Sequence, residues 1–407
     1  MFFKSKSKVR ILLIQLITKS NKILSNFIFI IFLPLTFLFL LLCLIFKIRF
    51  GKIRTERIGH LAFEIGMYLN ELDNGMHQNN YDIFYYDSQN NVSNKYFLNL
   101  LKRRIKIYNL FIIKHIIKLN KIVGFDILVP LLKKHFDELG YNNTNIPPIN
   151  FNDTEVKLAQ DLFTQMNFDF NKKYLCLHLR DSSYLETFIP NQDLSYHNYR
   201  DVNINNYTLM INKMEQYSTN IVRIGVKSNQ SLHNKYSNYF DFIYKNRNEF
   251  LEIFLIKNCK FFICTNSGPC ALGTFFRVPN AFVNVTPFLG VYGISRKNDM
   301  FLPKKYYSKI SNKFLTLDYI LKNGIANFAQ DHLYKNLNIE VVENTELEIS
   351  DFINEMNLKI DNTWILLAEE EELLSRYNKV LISNNIRTDK MPIISTTFLL
   401  NNKSLLN

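Results

Sequence analysis

The chain has 407 residues and a formal net charge of +13, a length that suggests two or three domains with sizeable cores. The charge is unevenly placed: residues 1–57 hold eleven Lys or Arg against Glu56 alone, so they carry +10 and residues 58–407 only +3. Basic character confined to one end favours anionic lipid over nucleic acid as its partner, and no nucleic-acid binding is expected.

The first elements read as membrane-associated. Ile11 to Ile17 is a mostly apolar stretch between Arg10 and Lys19 that fits an interfacial amphipathic segment. Phe27 to Phe46 is a run of twenty residues without charge, long enough to span a hydrocarbon core as a helix. It is too long, and too poor in small residues at its end, for a cleaved signal peptide. Six basic residues precede the run and five follow it, so charge does not set its orientation. Pro34 also allows a re-entrant hairpin that never crosses.

Ile58 to Leu69 then begins the first globular part, Asp82 to Tyr86 reads as a strand, and Lys95 to Lys106 as a basic amphipathic helix. Asn142 to Asp153, with Pro147-Pro148, reads as a linker. Glu155 to Met166 has helical spacing and leads into a strand at Tyr174 to Leu179. Short buried strands follow at Ile221 to Val226, Phe240 to Tyr244, Lys260 to Cys264 and Ala281 to Thr286, with a helix at Glu249 to Asn258. Strands separated by helix-sized segments imply right-handed βαβ units, a parallel sheet, and ligand binding at the carboxyl ends of the strands. Glu346 to Met356 and Asn362 to Tyr377 read as helices, the second carrying a solvated acidic run from Glu369 to Glu372. The expected organisation is a membrane anchor over 1–50, an α/β domain over 51–153, a second α/β domain over 154–340 and a helical extension over 341–407. Of the five cysteines, Cys43 lies in the apolar run; Cys176, Cys259, Cys264 and Cys270 lie on or beside strands at spacings unlike a zinc site. They read as reduced structural thiols, which favours a cytosolic catalytic portion.

The most informative stretch is F-F-I-C-T-N-S-G-P-C-A, Phe261 to Ala271. A β-like run stops in a small polar turn, Thr265, Asn266, Ser267 and Gly268, and Pro269 fits a first helical position. Such a junction presents amides and the positive end of a helix dipole to an anion such as phosphate; it also occurs as an ordinary strand-to-helix turn.

The T-N-S-G-P turn resembles the T-D-S-G-P signature of heptosyltransferases that use a nucleotide-diphosphate sugar, with Asn266 standing where those enzymes carry Asp. More widely, the chain is similar to a family of bacterial surface-polysaccharide glycosyltransferases. The pieces appear in order: R-I-G-H-L-A at Arg57 to Ala62, C-L-H-L-R-D at Cys176 to Asp181, Y-R-D-V-N-I-N-N-Y at Tyr199 to Tyr207, V-R-I-G at Val222 to Gly225, and the S-G turn. H-L-R-D also looks like the H-x-R element of fucosyltransferases. The resemblance implies an α/β fold of two Rossmann-like domains, the B-type glycosyltransferase (GT-B) architecture, preceded here by an N-terminal membrane segment.

Within that frame Arg180 is a bidentate diphosphate ligand or a structural ion-pair partner. His178 and Asp181 flank it, and His178, pointing along an apolar strand, also fits a core histidine. Arg223 lies inside a strand and reads as nucleotide contact or ion-pair partner. Arg200 and Asp201 approach substrate or pair with each other. In the similar heptosyltransferases the comparable Gly-rich turn of the first domain presents an acidic base; here His60 follows Gly59, and a neutral imidazole suits deprotonation of an acceptor hydroxyl. Glu64, four residues on, orients His60 or is itself the base, and packing at a helix start is the alternative for His60.

The expected activity is a membrane-associated glycosyltransferase. It would move a sugar from a nucleotide-diphosphate donor to a cell-surface glycan or lipid-linked acceptor at the bacterial inner membrane, with its catalytic domains in the cytoplasm. The nucleotide sugar is a substrate and no separate cofactor is expected; no D-x-D element sits at a strand end, so no metal is expected either. A nucleotide-sugar epimerase of the same fold and a non-catalytic scaffold of a polysaccharide assembly are the alternatives.

Overall fold

The structure, a computed structural model, describes residues 33–86, 92–108, 111–131, 144–188, 194–232, 236–244 and 247–407. The first elements are helix α1 (Leu33–Ile45), strand β1 (Ile48–Lys52), α2 (Ile58–Asp73), β2 (Tyr81–Tyr85), α3 (Lys95–Leu101), β3 (Lys106–Tyr108) and α4 (Phe111–Val123). Next come α5 (Asp153–Gln165), β4 (Tyr174–His178), α6 (Ser183–Phe188), a 3-10 turn at Ser195–Arg200, α7 (Thr208–Glu215), β5 (Asn220–Arg223) and β6 (Tyr239–Asp241). They are followed by α8 (Glu249–Asn258), β7 (Phe262–Cys264), α9 (Cys270–Phe276), β8 (Asn280–Val285) and β9 (Met300–Pro303). A small sheet of β10 (Lys305–Ser308), β11 (Lys313–Phe314) and β12 (Ile339–Val342) precedes α10 (Glu346–Ile360), α11 (Ala368–Ser383), β13 (Ile393–Ile394) and α12 (Thr396–Asn401).

The chain forms two compact units that do not follow sequence order. The first gathers residues 1–53, 75–91 and 105–131; the second gathers 54–74, 92–104 and 132–407. In the first unit β1, β2 and β3 lie parallel in that order. Its core joins Leu40 and Cys43 of α1 to Phe50, Tyr85, Ile127 and the apolar stripe Ile113, Ile116 and Leu119 of α4. Residues 33–50, expected to belong to a separable anchor, are thus structural: they supply a helix and an edge strand to this unit. Among the described residues no helix is long and apolar enough to cross a membrane. Residues 27–32 of the apolar run and the Ile11 to Ile17 stretch lie outside the described residues.

The second unit is built on seven strands in the order β13-β9-β8-β7-β4-β5-β6, every neighbouring pair parallel. The run starts in the middle at β4, adds β5 and β6 on one side, then crosses back to add β7, β8 and β9 on the other. The order therefore reverses between β4 and β7, which pair with Cys176 opposite Phe262 and His178 opposite Cys264. In a doubly wound sheet the loops leaving the carboxyl ends of such a pair diverge and open a crevice. Both faces are covered, so the central strands read as nearly unbroken apolar runs; Leu175, Cys176, Phe262, Ile263, Ala281 and Phe282 are fully buried.

Helices α2 and α3, expected in an N-terminal domain, belong to this second unit. Helix α2 packs on α9, with Gly66 against the Phe275 ring and Asn70 accepting a hydrogen bond from Arg277. Helix α3 is capped by Asn94, whose carbonyl oxygen accepts from Phe97 N at 2.7 Å while its amide donates to the Glu249 carbonyl of α8. The expected Lys95 to Lys106 helix stops at Leu101, and its last residue starts β3. The expected helix at Asn362 starts only at Ala368, because Asn362 takes a left-handed φ of 57° just after α10 ends.

Candidate functional site

The reversal point is stitched together by three hydrogen bonds between the loop after β4 and the turn after β7. Thr265 N donates to the His178 carbonyl at 3.3 Å, Arg180 N donates to Thr265 Oγ1 at 3.2 Å, and Ser267 Oγ lies 3.2 Å from His178 Nδ1. Burial, reinforced by the Arg223 charge, holds the His178 imidazole down at about 4, so it is neutral at ordinary pH. Thr265 and His178 thus brace the crevice; beyond the buried Thr265, Asn266 and Ser267 are half-buried and Gly268 is exposed.

Beyond the turn, the first amides of the helix are occupied. Helix α9 begins at Cys270, is seven residues long and has no side-chain cap. The N–H groups of Cys270, Ala271 and Leu272 donate to the carbonyls of Ser267, Gly268 and Pro269 at 3.2, 3.2 and 2.9 Å. Those amides are occupied by tight local turns. Asn266 turns toward Gly290, where an added Cβ would come within 2.1 Å of its Nδ2.

Cationic side chains gather beside the turn. The 3-10 turn at Ser195–Arg200 brings Arg200 and His197 to the end of β4, and Arg180, rather than Arg200, pairs with Asp201, at 3.1 Å. The Arg180 side chain is 13% exposed and Asp201 23%, yet their pairing is too poorly aligned for a hydrogen bond. Arg180 Nη2 and Arg200 Nε are buried without a hydrogen-bond partner, while Arg180 Nε and Asp201 Oδ1 have only their ion pair with each other. Burial and the neighbouring Arg200 both disfavour the charge on Arg180. His197 Nδ1 lies 2.9 Å from Arg200 Nη2, and burial with the charges of Arg200, Arg180 and Arg57 holds it at about 4. Lys304, 4% exposed, donates to the carbonyls of Tyr199 at 3.0 Å and Asp201 at 2.9 Å, fixing the turn from below. Buried guanidinium nitrogens left unpaired are costly. An anion with several acceptor oxygens would satisfy them.

Two expected ligands are structural. Arg223 is 1% exposed and bound to Asp241 at 3.2 Å, to Ser228 Oγ and to the Gln230 carbonyl at 2.6 Å. Asp181 accepts from Ser183 N, Ser183 Oγ, Ser228 Oγ and Asn229 N, which closes the loops after β4 and β5 onto each other. A strand arginine and a strand-end aspartate are consumed by one buried network.

His60 reaches the same crevice. It lies in the first turn of α2, and the backbone there meets the Ser267 turn directly: a Cβ on Gly59 would stand 2.7 Å from Gly268 Cα. His60 Nδ1 is 2.9 Å from Glu64 Oε1; Glu64 is 4% exposed and also receives Arg54. Substitution Gly59→Ala should therefore force two backbones apart and destabilise the protein by about 1–3 kcal/mol, the range of overpacked interiors, read as a lowered denaturation midpoint. Unchanged stability would show that this approach is looser than it looks.

Arg57, Arg54, His197 and Lys304 were not singled out in the sequence. The spacing of His197 and Arg200, three apart in Y-H-N-Y-R-D, was the available signal for a shared 3-10 face. Among the described residues no three His, Cys, Asp or Glu side chains gather as a metal site.

No protein-family model matches the chain, and no curated protein matches it. Similar solved structures include E. coli ADP-heptose lps heptosyltransferase II, at 8% identity over 77% of this chain and 100% of that one, with a TM-score of 0.45. A glycosyl transferase family 9 protein from Veillonella parvula has 11% identity over 76% and 97% of the two chains, with a TM-score of 0.42. E. coli heptosyltransferase WaaC with ADP has 10% identity over 69% and 99%, with a TM-score of 0.34. These likenesses are loose, and the α/β class with parallel sheets rests on the strand order itself.

Proposed function

We propose that the chain is a membrane-associated GT-B glycosyltransferase that moves a sugar from a nucleotide-diphosphate donor to a cell-surface glycan or lipid-linked acceptor. The observation that carries this reading is a set of buried guanidinium nitrogens without a hydrogen-bond partner, Arg180 Nη2 and Arg200 Nε, at the point where the parallel sheet reverses order. A diphosphate offers the oxygens they lack, with bidentate geometry suited to arginine. The ordered sequence pieces shared with surface-polysaccharide glycosyltransferases supply the reaction class.

Chemistry follows from the side chains. As the anomeric carbon–oxygen bond breaks, charge builds on the departing diphosphate, and Arg180 and Arg200, with Arg57 near them, stabilise it. With Nδ1–H donated to Glu64, His60 keeps its Nε2 lone pair for the acceptor hydroxyl proton. The new bond joins the acceptor oxygen to the anomeric carbon, and the proton stays on His60. Glu64, buried and already shared with Arg54, orients the base. The remaining expected contacts are assigned to scaffolding: Thr265 and His178 brace the site, and Ser267 and Gly268 line it.

Asp201 gives this reading a pH signature. Burial, opposed by Arg180, raises its carboxyl to about 6. Above that pH the carboxylate competes with the donor for Arg180; protonation removes the competitor, so donor binding should strengthen as pH falls through about 6. Isothermal titration with a nucleotide sugar, whose diphosphate does not titrate in this range, should show roughly tenfold tighter binding at pH 5 than at pH 7. Asp201→Asn should flatten the profile. Equal slopes in both proteins would assign the effect elsewhere. Release of nucleotide from a panel of nucleotide sugars, with and without a lipid-linked acceptor, tests the activity itself.

A further inference from the structure

We infer that α1 seats the first unit in one leaflet of an anionic bilayer and does not cross it, an inference that rests on the membrane association proposed above. The helix has two sides of different fate. Thr36, Leu40 and Cys43, at helical spacing, are buried, and Leu40 and Cys43 share a core with Ile113 and Ile116 of α4. The opposite side leaves Leu35, Leu38, Leu42, Ile45 and Phe46 in the open, Ile45 at 71% and Phe46 at 65% exposed. A continuous apolar helix face of this kind costs solubility unless something covers it.

Charge chooses the occupant. In the sequence residues 1–57 carry eleven cations against one anion, and Lys47 and Lys52 immediately after α1 are exposed. That complements an anionic lipid surface and would repel a second copy of the same segment. Packing keeps α1 from crossing. Its buried stripe is held by α4, which carries Lys118, Asn120 and Lys121, and a crossing α1 would either draw these polar groups into hydrocarbon or separate from its core. Lying in the interface keeps both the core and the lipid contact.

The test uses the full chain. Wild-type protein should float with vesicles containing phosphatidylglycerol and bind phosphatidylcholine vesicles more weakly. Leu38→Glu/Ile45→Glu, changing only exposed positions, should keep the wild-type melting transition yet lose roughly tenfold or more in vesicle partitioning. Lys22→Cys and Lys52→Cys flank the apolar run, and the native cysteines are buried. With an impermeant maleimide both new thiols should label in inverted membrane vesicles and neither in spheroplasts. Labelling from opposite sides overturns the in-plane seating while leaving membrane association intact. Equal flotation of the glutamate variant removes α1 as the seat. Wild-type protein that floats with no vesicle removes the membrane reading itself, and a dimer that the glutamates dissociate, without loss of flotation, names a second copy as the occupant instead.

Discussion

His60→Ala should lower turnover by about 10²–10⁴-fold while nucleotide-sugar affinity stays within about twofold, since the imidazole acts only on the acceptor proton in the chemical step. The geometry sharpens this into a pair of results. Glu64 holds Nδ1 at 2.9 Å and is itself held by Arg54, so Glu64→Gln, whose amide oxygen still accepts from Nδ1–H, should keep the ring in place. A loss smaller than that of His60→Ala is expected. If Glu64→Gln instead abolished turnover and His60→Ala left it intact, the carboxylate would be the base. If neither substitution changed turnover, proton removal would not involve this turn of α2 at all.

Arg180→Ala should weaken donor binding by about 1.5–3 kcal/mol, because it removes a charge-assisted hydrogen bond to the diphosphate in a site with little solvent access. The substitution has a second effect, because Asp201 would be deprived of the cation 3.1 Å away and a buried carboxylate would be left unopposed. The double variant Arg180→Ala/Asp201→Asn separates the two. Stability should recover in the double variant, whereas affinity should not. Recovery of both would make Arg180 a structural partner of Asp201 and nothing more. Full donor affinity in Arg180→Ala would transfer the diphosphate to Arg200 and Arg57 alone.

The sequence displayed the sheet well because of how parallel strands are covered. Tyr174 to Leu179, Ile221 to Val226 and Ala281 to Thr286 are apolar almost throughout and fall on β4, β5 and β8. Helix α8 was visible to the residue, from Glu249 to Asn258, since Asn248 caps it with bonds to Phe250 N and Leu251 N. By contrast β13 is the two residues Ile393 and Ile394, too short for any periodicity to announce that the end of the chain completes the sheet. The site was half legible. A strand-end arginine and a polar turn, both visible in the sequence, meet at the point where the sheet reverses order, but the pattern cannot say whether a polar residue faces ligand or another residue. Asp181 and Arg223 answer to Ser228, and the amides of Cys270, Ala271 and Leu272 answer to their own turn. Lys304 is 105 residues from the Tyr199 carbonyl it holds, a distance that only topology closes.

The division of the chain bears on how such a protein comes into being. The backbone passes between the two units five times by residue 132, so no single break point in the gene separates the two units from each other. A ribosome must deliver 131 residues before the first unit has all its parts, and by then α2 and α3 have already emerged without α9 and α8, the helices against which they pack. Fragments cut at 50 or 153 are therefore expected to aggregate when made separately and to gain native melting behaviour only when both pieces are supplied together.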